Sequence, residues 1–578
     1  MIRKMAYCVI FAALAACAAL ADAGDPPARV ARLNYRSGVV SFRPGSVEEW
    51  TDAKVNYPLT TGDHLWTEAG ARTEIHAGST AIRMAPETAF SILNLDDNVA
   101  QFSLTQGAID IRIRDLAPGE TYEVDTPNAS ISLLRPGEYR IDTDADSNVT
   151  TVTVRDGEAE FTSDGASAPT PVRMGQSARV SGTNPAALDI GALPPPGEFD
   201  LWCEARDRGE ERAQSVRYVS RGTIGYEDLD AYGVWREVPP YGWVWVPRVA
   251  AGWAPYRSGY WAWVEPWGWT WIADEPWGFA PFHYGRWAYA GGGWLWVPGA
   301  MAPRPVYAPA LVAFVGGAGF TAGVAWFPLG PAEVYRPAYH VSDAYVRRVN
   351  VASVNVLNLN VTNVRYVNRG APGAMTVVRQ DDFVHARPVA RVMVAVDPSQ
   401  MARGQVIGAT ALVAPRRESV LVEAAPVAAH APPARFMDRA VVARVAPPPP
   451  PVPFRLKQQA LEANPGRPLD PGAADNLRRG APAPAQAVRV LRAPQGGFRP
   501  ANAAGVGPNA APATRNDRPP GAVGQQNRPP VRAPEQPRKA ETPPAPNRPA
   551  ANQQTKTPPK DRAPAKDVKK EPKPPERN

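Results

Sequence analysis

A chain of 578 residues has room for two or three domains, and its 66 prolines and 47 glycines are spread too unevenly for all of it to pack. The formal charge of +7 is equally uneven: residues 481–578 hold 18 Lys/Arg and 7 Asp/Glu, a net of +11, so the other 480 residues sum to −4. The basic balance belongs to one end of the chain, which removes the charge argument for a nucleic-acid-binding fold.

At the N-terminus Arg3 and Lys4 precede an apolar run, Ala6 to Ala16, too short to span a bilayer, and Ala21-Asp22-Ala23 offers an A-x-A site. Residues 1–23 are therefore expected to be an export signal, with a mature chain beginning at Gly24. Leu14-Ala15-Ala16-Cys17 overlaps this signal and resembles a bacterial lipobox, which would make Cys17 a lipidated first residue. Either form places the protein in the periplasm or at the outer membrane or cell surface. The later stretch nearest to a membrane span is Ala310 to Phe327. Its glycines at 316, 317, 319 and 323, between Pro309 and Pro328, point instead to buried strands and turns. Cleavage after Ala23 leaves Cys203 as the one cysteine, so neither an internal disulfide nor a Cys/His metal spacing is available.

Residues 28–185 read as short strands. Val39 to Phe42, Thr73 to His76, Ala81 to Met84 and Phe102 to Leu104 are apolar or alternating, and Ile109 to Arg114 sets isoleucines on one face against charges on the other. Val152-Thr153-Val154 runs to Asp156-Gly157, expected to be a hairpin turn answered by Ala159 to Phe161. Further turns are expected at Thr61-Gly62-Asp63, Gln106-Gly107, Arg135-Pro136-Gly137 and Met174-Gly175. A mainly β fold follows, a sandwich, roll or short solenoid. Leu59 to Asp63, Val124 to Ala129, Gly137 to Arg140, Val154 to Ala159 and Met174-Gly175-Gln176, in that order, resemble the FecR-like domain of bacterial envelope proteins. FecR-type transducers add a cytoplasmic segment that binds a sigma factor and one membrane helix. Here the export signal directly precedes the β-domain, so the resemblance implies only the extracytoplasmic module.

Pro194-Pro195-Pro196 closes that module. Residues 196–222 predict a connecting helix that docks through Phe199, Trp202 and Cys203, with Glu204 to Arg212 as a solvated remainder.

Thirteen of the 17 tryptophans fall between Gly233 and Pro298. Gly233-Val234-Trp235, Gly259-Tyr260-Trp261 and Gly285-Arg286-Trp287 recur every 26 residues, and each is followed by Gly-Trp-x-Trp at 242–245, 268–271 and 293–296. The third arrives one residue early, as if a loop had lost a position. A period of this size means one supersecondary unit copied. Residues 225–300 are thus expected to form a three-hairpin β-domain, with a β-rich extension over 301–388. Tyr226 to Asp230, Trp267 to Trp271, Pro276 to Trp287 and Trp326 to Pro331 resemble a tryptophan-rich domain of unknown function found after FecR-like domains in proteobacteria. That resemblance implies an architecture and no activity.

Val349 to Asn368 holds six asparagines among alternating Val and Leu and suggests stacked strands. Residues 389–440 are ambiguous. Residues 441–578 are expected to be a disordered basic tail, with one short helix over Lys457 to Asn464. Residues 481–578 contain 22 prolines and one aromatic side chain, too little apolar surface to offset the entropy of ordering.

Six tryptophans of the Gly-Trp-x-Trp elements, Trp243, Trp245, Trp269, Trp271, Trp294 and Trp296, are candidates for stacking against a glycan; the competing reading makes them the core. Glu227, Asp228 and Asp230 form an acidic cluster suited to a cation or to capping. The histidines at 64, 76, 283, 340, 385 and 430 are scattered, and the chain holds no Gly-x-Ser-x-Gly, His-Glu-x-x-His or phosphate-cradling loop. The expectation is a noncatalytic envelope scaffold without cofactor or metal. A cell-envelope protein or glycan is its expected partner, nucleic acid is not, and the membrane is reached only through a lipid anchor or weak electrostatic contact. The alternatives are glycan or peptidoglycan binding through the tryptophans, and an extracytoplasmic sensor component lacking its own sigma-regulator segment.

Overall fold

The computed structural model describes residues 24–164, 168–183, 186–317, 320–350, 366–422, 431–480 and 488–491. Residues 1–23, expected to be an export signal and including Cys17, most of the asparagine-rich stretch and residues 492–578 lie outside them.

Residues 31–192 form two packed β-layers. One runs in the order 58–59, 31–37, 72–77, 80–84, 107–113, 137–144, 149–156, 176–181, 187–192. The other runs 51–52, 40–43, 64–67, 88–95, 99–106, 121–125, 129–133, 158–163, 170–173. The strand Val99–Ile113 belongs to both. Its alternation puts Ile109, Ile111 and Ile113 into the core with Leu33, Ile75, Ile82 and Ile141, all at most 1% exposed. Asp110 and Arg112 point the other way.

Two expected turns prove to be crossings between the layers. Gly107 continues the long strand from one layer into the other at φ +87. Gly157 is the single residue between Val149–Asp156 and Glu158–Ser163, which lie in different layers and do not pair. One residue is too short for the two-residue loop of a hairpin. A Cβ on Gly157 would lie 2.1 Å from the Tyr139 hydroxyl, so only glycine makes this corner.

The three repeats form hairpins: Gly233–Val238 with Gly242–Pro247, Gly259–Val264 with Gly268–Ala273, and Arg286–Ala290 with Gly293–Val297. Their loops are Pro239 to Tyr241, Glu265 to Trp267, and Gly291-Gly292, so the missing residue of the third repeat is a loop residue. Register survives the loss: Trp235 faces Trp245, Trp261 faces Trp271 and Trp287 faces Trp296. The first Gly of each repeat lets that tryptophan in. A Cβ on Gly233 would lie 2.2 Å from Trp245, on Gly259 2.8 Å from Trp271, and on Gly285 2.6 Å from Trp296. The first and third hairpins share a sheet. Helices Gln380–Val384, Val389–Val392 and Arg417–Leu421 pack on the second, and strand Gln405–Gly408 pairs with Val312–Gly316. Residues 389–422 of the ambiguous stretch thereby belong to the repeat module. The Ala310 to Phe327 stretch forms buried strands there, as expected.

The expected boundary at 441 does not hold. Phe436 stacks on Trp66, Val442 N donates to Thr126 O at 2.9 Å, and Arg444 N donates to Glu123 at 2.9 Å, so this segment straps the first module. Helix Phe454–Ala463 buries Leu461 and pairs Lys457 with Glu265 of the second hairpin loop. Proline-rich flanks hid this packing because few apolar residues carry it.

Candidate functional site: a buried ionic seam between the two modules

The charged face of the first layer, readable as a solvated surface, is covered. Helix α1, Glu198–Glu211, begins after Gly197 with Asp200 accepting from the Gly197 N–H at 2.6 Å. Its inward residues Phe199, Asp200, Cys203, Arg206, Asp207 and Glu210 recur at helical spacing. Four of those six are charged, so apolar periodicity marks only the first turn, and Glu204 to Arg212 is not the solvated connector expected.

Arg83, fully buried, sits at the centre. Its Nε donates to Glu74 Oε2 at 2.7 Å, and its Nη2 to Asp207 at 2.9 Å and Glu210 at 3.1 Å. Arg114 reaches Asp207 at 2.6 Å and Glu210 at 3.0 Å, and Arg206 reaches Glu74 at 2.6 Å. A second knot joins Asp200 to Arg140 at 2.9 Å and to Arg155 at 2.8 Å. Cys203 lies between these knots, and burial pushes its thiol far up, so it stays protonated.

The entry motif of the repeat module completes the seam. Glu227 Oε1 lies 3.0 Å from His76 Nδ1, while His76 Nε2 lies 3.1 Å from Glu74 and 3.4 Å from Glu210. Asp228 accepts from Arg32 at 2.7 Å. Arg32 also donates to Pro276 O at 2.8 Å, and Asn56 donates to the carbonyls of Ala273 at 3.0 Å and Glu275 at 2.8 Å, at and just past the end of the second hairpin. Asp230 turns away and accepts from Ser215 Oγ at 2.5 Å. The acidic cluster therefore splits three ways, two members into the seam and one onto the turn after α1.

Burial alone would push His76 down, but Glu210, Glu227 and Glu74 hold it well above 6.5, as imidazolium. Burial would raise Glu74 and Glu227. His76 with Arg206 and Arg83 outweighs it for Glu74, and His76 with Arg32 for Glu227, so both stay below the usual range. Asp110 goes the other way. Burial lifts it to about 8 against the pull of Arg83, 3.7 Å away.

Among the described residues, Glu74, His76 and Glu210 bring ligand atoms within 4.8 Å of one another, as a metal would need. Arg83, Arg206 and Arg114 already sit on those carboxylates, and a proton on His76 supplies the remaining charge. The arrangement does the chemistry of an ion-pair latch.

Of the candidate stacking residues, Trp245, Trp269, Trp271, Trp294 and Trp296 are each at most 4% exposed. A ring with neither face open cannot stack on a sugar, so these five are core. Three of their indole N–H groups are spent inside as well: Trp245 donates to Leu229 O at 2.9 Å, Trp269 to Val413 O at 3.0 Å and Trp296 to Tyr284 O at 2.8 Å, while those of Trp271 and Trp294 are buried without a hydrogen-bond partner among the described residues. Trp243 is 48% exposed and lies 4.9 Å from the Tyr218 ring. His283 is buried, bound to Ala308 O at 2.7 Å, and burial pushes it down to about 3.

Residues 226–333 match DUF6600, a family of unknown function. The DUF6600 segment opens on Tyr226, at the turn that carries Glu227 and Asp228 into the seam, and ends on Glu333, whose carboxylate accepts from the Gly330 and Val367 N–H groups at 2.7 and 2.6 Å. The match is shorter than the expected 225–388, and the strands and helices after Glu333 complete the module outside it. Two crystal structures of a Parabacteroides distasonis protein, provisionally described as an anti-sigma factor, align with 14% and 13% identity and a TM-score of 0.20 each. They cover 22% of this chain, which spans 59% of theirs. No curated protein matches the chain.

Proposed function

We propose that this is an exported, noncatalytic scaffold of the cell envelope, in which a FecR-like module and a DUF6600 module act as one rigid interaction body. The observation that carries the reading is the seam. The residues that open the DUF6600 segment bury Glu227 against His76 and Arg32 of the first module, so the two cannot reorient without exposing paired charges. The motifs between Leu59 and Gln176 and the A-x-A signal support the FecR-like and exported parts.

Fractionation of a C-terminally tagged full-length chain tests export; the tag should appear outside the cytoplasm on a product beginning at Gly24, or lipidated at Cys17. A full-length cytoplasmic product would sink the reading. Sedimentation with purified peptidoglycan sacculi tests the glycan alternative, which the exposed Trp243 beside Tyr218 keeps specific. The scaffold reading expects no saturable binding, whereas binding abolished by Trp243→Ala would replace it with a glycan-binding function.

A further inference from the structure

The loop that leaves the third hairpin folds over a cavity of about 310 Å³. Its walls are apolar: Tyr218 from the turn after α1, Tyr284 and Trp296 from the third repeat, and Met301, Val306 and Leu311 from the following chain. Its mouth carries Arg304, Arg347 and Arg348. Arg304 is tied to Glu120 at 2.5 Å, and Arg348 faces Asp97 at 3.6 Å. Arg347, exposed on helix Asp343–Asn350, makes no ion pair among the described residues. Ser220 Oγ, on the wall, is buried without a hydrogen-bond partner among them. His283, also in the lining and buried, is neutral because burial holds its proton off, so the buried wall carries no charge of its own.

An uncharged apolar interior under a cationic rim selects a ligand with one anionic end. We propose that this cavity binds a single-chain amphiphilic anion, its chain against Tyr284, Val306 and Leu311 and its carboxylate or phosphate at Arg347. The volume lies at the lower end of small-molecule sites, roughly 300–1,000 Å³, which suits one chain and excludes a two-chain lipid. A free fatty acid and a lysophospholipid share this chemistry.

Isothermal titration of the delipidated full-length chain with dodecanoate tests the site. Saturable binding is expected, at least tenfold weaker for the uncharged dodecanol. Arg347→Glu, an exposed change that leaves the fold intact, and Ala302→Trp, which fills the cavity from its wall, should each weaken dodecanoate binding at least tenfold. Near-UV circular dichroism establishes that both variants are folded. Mass spectrometry of an organic extract of the protein purified from cells distinguishes the sources, since a fatty acid or a lysophospholipid in stoichiometric amount supports the site and names its ligand. Absence of saturable dodecanoate binding, equal affinity for dodecanol, or unchanged binding in folded Ala302→Trp overturns the proposal.

Discussion

Inside the repeat module Trp261 meets Trp271, Trp326 and Phe383 with ring centres 5.4 to 5.6 Å apart, and along the seam Arg83 meets Glu74, Asp207 and Glu210 at 2.7 to 3.1 Å. Both clusters are out of water. The aromatic one is held by area and dispersion, which degrade gradually when one ring is trimmed. The ionic one is held by directional pairs whose partners were expensive to desolvate. Removing one member strands the others as uncompensated charges. The repeat module can therefore drift in sequence while it stays apolar, but the seam needs both of its sides at once.

The sharpest way to break this contrast is Arg83→Ala, which takes the central cation from Glu74, Asp207 and Glu210 and leaves them only Arg206, Arg114 and His76. A loss of about 3–5 kcal/mol is expected in urea unfolding, and a loss below about 1 kcal/mol would mean that the carboxylates relax into water. Gly233→Ala comes next. Its backbone is extended, so the added methyl is unstrained but collides with Trp245, and overpacking should cost about 1–3 kcal/mol. An unchanged midpoint would show that the hairpin can open at that edge.

The pH response separates the two clusters without truncating anything. His76 is held above its unfolded value, so its contribution is complete below about pH 6.5 and is lost as pH rises through the folded value. Asp110, lifted to about 8, works in the same direction, favouring the folded state less as pH rises from its unfolded range to that value. Glu74 and Glu227, held low, contribute above about pH 4.5 and lose that contribution as pH falls through their folded values. Thermal stability should thus fall on the alkaline side, and His76→Gln should flatten that limb while leaving tryptophan emission unchanged. An alkaline limb of the same slope in His76→Gln would assign it elsewhere. The smallest effect is expected from Trp243→Ala, within about 0.5 kcal/mol of wild type by the same unfolding measurement. A larger loss would make Trp243 part of the core despite its exposure.

What was legible in the sequence follows the same division. Strand alternation in Ile109 to Ile113 and the 26-residue recurrence of Gly and Trp are apolar patterns, and they placed the layers, the hairpins and even the loop that lost a residue. The seam left no such trace. Asp207 and Glu210 look like solvent-facing helix residues, and Glu74, His76 and Arg83 like the wet side of a sheet, until the two faces are set together. The usable signal was complementary. Carboxylates at 200, 207 and 210 share a helix face, and arginines at 83, 114, 140 and 155 stand on the outward face of neighbouring strands. Likewise Asp156-Gly157 carries the composition of a hairpin turn. Whether it reverses the chain or carries it across a core depends on which strands pair, and local sequence does not state that.

The contact between the first glycine of each repeat and the second tryptophan of its Gly-Trp-x-Trp element acts as a gauge. It fixes how deeply one strand sits against the next, whatever joins them. Twelve positions separate the two residues in the first two repeats, 233 to 245 and 259 to 271, and eleven in the third, 285 to 296, yet the same rings still face each other. Duplicated units of this kind inherit a spacing in ångströms, not in residues. Insertions at Pro240, Pro266 or Gly292 should therefore be absorbed as longer loops, whereas one residue added inside a strand would turn a tryptophan to the wrong face of its hairpin.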